Sequence, residues 1–196
     1  FMTQMESKGG AGLYSVYIGA DSKDSNKNVV NLGTGSLGLP DRDYYIKDDN
    51  DSKDKREKYV AHVTRMLQFL GDSEEKAAVQ ASQILAFETK LAEPRLDKVE
   101  RRDARNRYNP RSVDDLTKIV PSVDWKKYLM GIGLHNIDTL IVGQLKYTAA
   151  LENILQENNV SDWKAYLRWS TLNSASNSLS TEIEKANWDF YSKELR

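Results

Sequence analysis

The stretch Asn31–Tyr45, NLGTGSLGLPDRDYY, sets Gly33, Gly35 and Gly38 in the order G-x-G-x-x-G, directly after the β-branched run NVVNL. In a dinucleotide-binding turn, glycines in that order open into a helix whose N-terminus holds a pyrophosphate. An acidic residue about 20 positions on then takes the ribose. Here Gly38 leads into Leu39-Pro40 and then Asp41, Asp43, Asp48 and Asp49, which places negative charge where the phosphate would sit. The patterns that follow are helical, with no parallel βαβ unit. The nucleotide reading fails, and the glycines are read as the exit from a hairpin.

The run DDNDSKDKREK alternates Asp49, Asp51 and Asp54 as a calcium loop would. Counted from Asp48, the glycine and the bidentate glutamate that an EF-hand needs are replaced by Lys53 and Tyr59. The run is read as a solvated helix start, with acids early and Lys/Arg later along the dipole. Zinc ligands are scarce, because the two histidines, His62 and His135, are followed by VTRM and NIDT and neither builds H-E-x-x-H. His62 falls on an apolar helix face, as a satisfied core or boundary histidine does, and His135 follows a glycine pair in a loop. The absence of cysteine removes thiolate catalysis, disulfides and Cys-ligated metals. No catalytic, cofactor-binding or metal-binding residue is assigned to any position.

Glu88 stands out because it sits on the apolar stripe of its helix, where a carboxylate needs a charge partner or hydrogen-bond donors. The downstream run ERRDARNRYN offers Arg101 or Arg102 as that partner, bracing the loop that follows. A general acid or base role would need a histidine, a metal or a second acid beside it. The aromatic residues Trp163, Tyr166, Trp169, Trp188, Phe190 and Tyr191 are read chiefly as core rather than as a carbohydrate or peptide groove. Two helices cannot point all six inward.

The elements that position these residues follow from periodicity. GLYSVYIGAD alternates, SKDSNKN is turn chemistry, and VVNL returns, so Leu13 to Leu32 (about residues 13–33) is expected as one β-hairpin. FMTQMES before it is read as the tail of a helix ending at Gly9-Gly10. Tyr59, His62, Val63, Met66 and Leu70 share one face of a helix closed by Gly71. Asp72 or Ser73 then caps a second helix with the stripe Ala77, Ala81, Ile84, Leu85, Glu88 and Leu91. Short helices are expected after Ser112 and over VDWKKYLM, and DTLIVGQ is a strand or an extended crossing. A helix follows through Leu151, Ile154 and Leu155, then a longer one from Ser161 and Asp162, and a final stripe of Leu179, Ile183, Ala186 and Phe190. The fold class is mainly α: a multi-helix domain with one short hairpin near the N-terminus and a helical part over about residues 41–196.

The 196 residues suit one domain, and a formal charge of −1 gives no electrostatic reason for nucleic acid or an anionic membrane as partner. No apolar run approaches the roughly 18 residues of a membrane span. The first ten residues lack the basic head and apolar core of a signal peptide.

Taken together, several stretches resemble the neprilysin and endothelin-converting-enzyme family of zinc metallopeptidases. Leu37-Gly38-Leu39-Pro40-Asp41-Arg42-Asp43-Tyr44-Tyr45 is similar to its LGLPxRDYY signature, and YSVYIGADSKDSNKNVV to the hairpin before it. Arg102, Asp103, Tyr108 and Asn109 match its RDxxxxYN block, VDWKKYL its DWxxYL element, and YLRWSTLNSASNSLSTEIEKANWDFYSKELR the helices ahead of its catalytic half. The resemblance implies a helical, lid-like domain that caps the active-site chamber of a peptidase cleaving small peptides. It also implies that zinc and the H-E-x-x-H machinery lie in a C-terminal catalytic half of the same chain, beyond this segment. The segment is then expected to be inactive alone and to present an apolar or aromatic face where that half docks. The lack of cysteine suits a bacterial-type member, and the parent is expected to be exported, as a periplasmic protein or lipoprotein. The rival reading is a stand-alone peptide- or protein-binding helical module without peptidase activity.

Overall fold

The computed structural model describes Thr3 and residues 12–195. The helix tail expected over residues 1–7 and its end at Gly9-Gly10 lie outside the described residues, apart from Thr3, which is helical. The fold is mainly α, as read. Where the sequence gives a single helical domain over 1–196, the contacts divide into two compact units, each drawn from two stretches: residues 1–36 with 94–157, and residues 37–93 with 158–196.

The first unit carries the hairpin. Strands β1 (Tyr14–Asp21) and β2 (Asp24–Thr34) pair antiparallel, with Val16 opposite Leu32 and Tyr17 opposite Asn31. The turn is tighter than SKDSNKN implies. Only Ser22 and Lys23 separate the strands, and Asp21 Oδ1 accepts from the Lys23 N–H at 2.8 Å. The hairpin is half of a four-stranded sheet of order β1-β2-β4-β3. DTLIVGQ supplies β4 (Thr139–Val142), parallel to β2, and β3 (Asn109–Ser112) pairs antiparallel to β4. The sequence reading missed β3 because NPRS is short and contains Pro110, a residue that an edge strand tolerates.

Helices α4 (Ala104–Arg107), α5 (Val113–Ile119), α6 (Trp125–Gly131) and α7 (Leu145–Glu157) complete this unit. Ser112 and Asp115 form a reciprocal capping box at α5, and Asp124 caps α6. Tyr14 packs its ring on Trp125 and Tyr128, with centroids 5.1 and 6.1 Å apart, and the buried Tyr147 hydroxyl donates to the Leu13 carbonyl at 2.6 Å.

The second unit contains α1 (Asp43–Ile46), α2 (Asn50–Gln68), α3 (Glu74–Ala92), α8 (Val160–Ala175) and α9 (Thr181–Asp189), ending in a π-turn over Phe190–Glu194. Asp49 N-caps α2, accepting from Ser52 N–H at 2.9 Å, and Lys55 and Lys58 pair with Asp51 and Asp54 one turn away. The acidic run is therefore a capped helix start. Gly71, at φ +89°, closes α2, and the Asp72 N–H reaches back to the Leu67 carbonyl. Ser73 caps α3. At α8 the cap is Asn159, two residues before the expected Ser161, so the helix begins at Val160.

The core of this unit takes Tyr59, Val63 and Met66 from α2, Ala77, Ala81 and Ile84 from α3, Trp169 from α8 and Phe190 from the π-turn. Leu70 and Leu179, expected on these stripes, are 43% and 44% exposed, because α2 stops at Gln68 and α9 starts only at Thr181. Of the late aromatic residues, Tyr166, Trp169 and Phe190 are buried, Trp163 and Tyr191 half-buried, and Trp188 exposed under the Lys193 ammonium.

The glycines of the G-x-G-x-x-G order differ in what they permit. A Cβ on Gly35 would lie 1.9 Å from the Gly12 carbonyl oxygen, whereas one on Gly33 would meet the movable Ser15 hydroxyl at 2.5 Å. Gly35→Ala is thus expected to lower the melting temperature clearly more than Gly33→Ala, as measured by calorimetry on the two variants.

Candidate functional site

The segment Leu37–Tyr45 makes a series of polar contacts within the second unit. Asp41 Oδ1 accepts from the Asp43 N–H at 3.0 Å, which starts α1. A single helical turn leaves its carbonyls open. The Arg56 guanidinium, from α2, meets two of these nearby, donating to the carbonyls of Tyr44 and Lys47 at 2.7 and 2.9 Å. Arg42 reaches the Glu93 carbonyl at the end of α3, at 3.3 Å.

Glu88 is the centre of the segment's contacts. It projects from α3 and is 1% exposed. Oε1 accepts from the Gly38 N–H at 3.2 Å, and Oε2 accepts from the hydroxyls of Tyr45 and Tyr59, each at 2.7 Å. The direction of these bonds is fixed from outside. The Leu39 N–H donates to the Tyr45 hydroxyl and the Trp169 indole N–H to the Tyr59 hydroxyl, both at 2.7 Å, so each hydroxyl proton is left for the carboxylate. Burial, reinforced by the Glu88 charge, pushes both tyrosine hydroxyls well above their ordinary pKa, which keeps them donors. The guanidinium expected from Arg101 or Arg102 is not among these donors. Both arginines are exposed and belong to the first unit.

Gly38 is required here. A Cβ at this position would stand 1.8 Å from the Tyr59 hydroxyl oxygen. Its carbonyl accepts from the Tyr191 hydroxyl at 2.8 Å, and that hydroxyl accepts from Asn173 Nδ2 at 3.1 Å. The backbone of one glycine therefore joins the carboxylate on α3 to the π-turn and α8.

His62 lies beside this cluster. Its ring stacks on Phe190 at 4.2 Å, nearly parallel, and Nε2–H donates to Asn187 Oδ1 at 3.2 Å. Asn187 Nδ2 in turn donates to the buried Ser176 hydroxyl at 2.7 Å. Burial pulls the His62 pKa down to about 4, with Arg65 adding to the shift, so the ring is neutral near pH 7. It is a satisfied core histidine, as the sequence suggests. His135 is exposed in the loop after Gly133.

These residues make a neutral-donor clasp around one carboxylate. Among the described residues, no group of three or more His, Cys, Asp or Glu is placed to hold a metal ion. One carboxylate surrounded by N–H and O–H donors does not fit zinc. The sequence singles out Glu88 but not its tyrosine donors, Tyr45 and Tyr59. Their hydroxyls carry no periodic signal.

The model of peptidase family M13, for its N-terminal part, matches residues 1–196. Endothelin-converting enzyme 1 of Cavia porcellus and that of Homo sapiens are each 28% identical over 187 residues, covering 91% of this chain and 24% of theirs. The chain thus spans about a quarter of the length of the curated relatives it matches. Among solved structures, the Mycobacterium tuberculosis zinc metalloprotease ZMP1 in its open state superposes with a TM-score of 0.90 at 29% identity, over 98% of this chain and 30% of that one. PEPO from Lactobacillus rhamnosis shares the fold, with a TM-score of 0.81 at 19% identity over 97% of this chain and 30% of its own.

Two outcomes follow from the clasp. In Glu88→Gln the amide cannot accept from Gly38 and from both tyrosines at once, so a buried donor loses its partner, at about 1–3 kcal/mol. Denaturant unfolding should show that loss, and an unchanged midpoint would refute the role given to the carboxylate. For His62, the unfolded chain takes up a proton near pH 6.5 and the folded one only at about 4. Its contribution is complete above about pH 7 and falls as pH drops through that window, by roughly 3 kcal/mol in all. Melting curves between pH 7 and 4 should show a slope that His62→Gln reduces by about one proton.

Proposed function

The chain belongs to peptidase family M13, and from that premise we propose that it is the non-catalytic helical part of a zinc metalloendopeptidase that cleaves small peptides. Its role on this reading is enclosure: it caps the active-site chamber and restricts substrate size sterically. The zinc, its ligands and the general base belong to a C-terminal catalytic half of the same polypeptide, which is also the segment's principal partner. The segment by itself is then inactive.

The observation that carries this reading is the full-length match to the family's N-terminal model, supported by the likeness to ZMP1 over 98% of this chain but 30% of that one. The clasp supports it as well. A domain that confines substrate must hold its shape, and Glu88 with its donors ties α1, α2, α3 and α8 of the second unit together. Large apolar side chains left exposed, such as Trp188 at 54% and Val160 at 68%, are consistent with a further domain packing on this one. None of the described helices is long and apolar enough to cross a membrane. The absence of cysteine suits a bacterial-type member of the family, and we infer from that membership that the parent is exported.

The native reading frame beyond Arg196 tests the proposal. We expect H-E-x-x-H within the following few hundred residues and a further glutamate in a later helix. The full-length protein should hydrolyse short peptides, lose that activity when zinc is chelated, and fail on longer or folded substrates. A frame that ends near Arg196 would instead leave the rival, a peptide- or protein-binding module.

A further inference from the structure

We propose that a groove on the outer face of the sheet binds the C-terminal residue of a peptide, with its carboxylate on Arg107. This proposal concerns the first unit alone and stands apart from the peptidase reading.

The register creates the floor. Tyr17 stands opposite Asn31 and Gly19 opposite Val29, and Ile141 of β4 lies beside Asn31, so these residues share one face. Leu32 and Val142 are buried on the other face. Ala104, Arg107 and Tyr108 form the wall, and the open groove has a volume of about 250 Å³. That is below the range of sites for drug-sized ligands and suits a single amino-acid residue.

Two features give the site its chemistry. The first is room for a backbone. Gly19 and Gly143 line the groove in ordinary backbone conformations, and a Cβ at either would meet nothing closer than 3.6 and 3.5 Å respectively. The packing of the chain does not require glycine at either position, and their bareness leaves the floor open to a closely approaching chain.

The second is charge. Arg107 is exposed and makes no hydrogen bond or ion pair among the described residues, unlike its neighbour Arg105, which is tied to Asp103 at 2.7 Å. The nearby acid, Asp21, already accepts from the Tyr108 hydroxyl at 3.1 Å and from the Lys23 N–H. The Lys23 ammonium lies 4.3 Å from the centre of the Tyr108 ring, a second positive charge next to a residue of this wall. A guanidinium above a partly apolar floor of Val29 and Ile141 matches a terminal carboxylate carrying an aliphatic side chain.

The test follows the amides of Gly19, Gly33 and Gly143 by NMR in the 196-residue chain. The probes are N-acetyl-leucyl-leucine, its C-terminal amide and sodium acetate. We expect saturable shifts with the acid, and binding about tenfold weaker for both the amide and acetate. Arg107→Gln should bring the acid down to the affinity of the amide. Gly143→Ala, which the packing accommodates, should weaken acid and amide alike. Absence of shifts, equal binding of acid and amide, acetate matching the dipeptide, or unchanged affinity in Arg107→Gln would each overturn the proposal.

Discussion

A carboxylate buried to 1% exposure is the constraint on which the second unit is built. An ion of that kind, left without partners in a low-dielectric interior, costs several kcal/mol. Hydrogen bonds to a charged group contribute about 1.5–3 kcal/mol each, so the donors from Gly38, Tyr45 and Tyr59 are of the size needed to offset that cost. The arrangement then dictates the rest. Tyr59 must lie against Gly38, so that position admits no side chain. Tyr45 must be brought back over Leu39, so the chain between them turns through Pro40 and Asp41 into the one-turn helix α1. Two residues of the LGLPDRDYY stretch, Gly38 and Tyr45, bond Glu88 directly, and the Leu39 N–H orients the Tyr45 hydroxyl.

Much of this was legible in the sequence, and the rest was not for identifiable reasons. The hairpin, the α2 and α3 stripes, a cap at Asp72 or Ser73, the Ser112 cap and the core or boundary place of His62 all follow from short-range rules of period and capping. Glu88 could be seen as anomalous, because a carboxylate on an apolar stripe breaks those rules. Its partners could not be seen. Tyr45, Tyr59 and Gly38 lie 29 to 50 positions away, and no local pattern ties them to it. The nearby arginines are the obvious electrostatic choice, but the donors that reach the carboxylate here are a backbone N–H and two tyrosine hydroxyls. Strand β3 escaped notice for a related reason: four residues with a proline become a strand only beside β4.

The division into two units refines the functional picture. Sheet and clasp belong to different units, and the groove at Arg107 belongs to the first. The glycine order that looked like a nucleotide site is divided between them. Gly33 and Gly35 serve the hairpin and its exit, and Gly38 serves Glu88. One sequence pattern thus resolves into two unrelated packing requirements, and neither involves a phosphate.

The most direct test of the claim that the signature is a structural clasp is native-state hydrogen exchange at the Gly38 amide. If its bond to Glu88 is integral to the core, Gly38 should exchange only through global opening, with the same free energy as central amides of α2 and α3. Exchange of Gly38 by local fluctuation, far faster than those helices, would contradict the account and leave the LGLPxRDYY segment as a surface loop resting on an independently stable core.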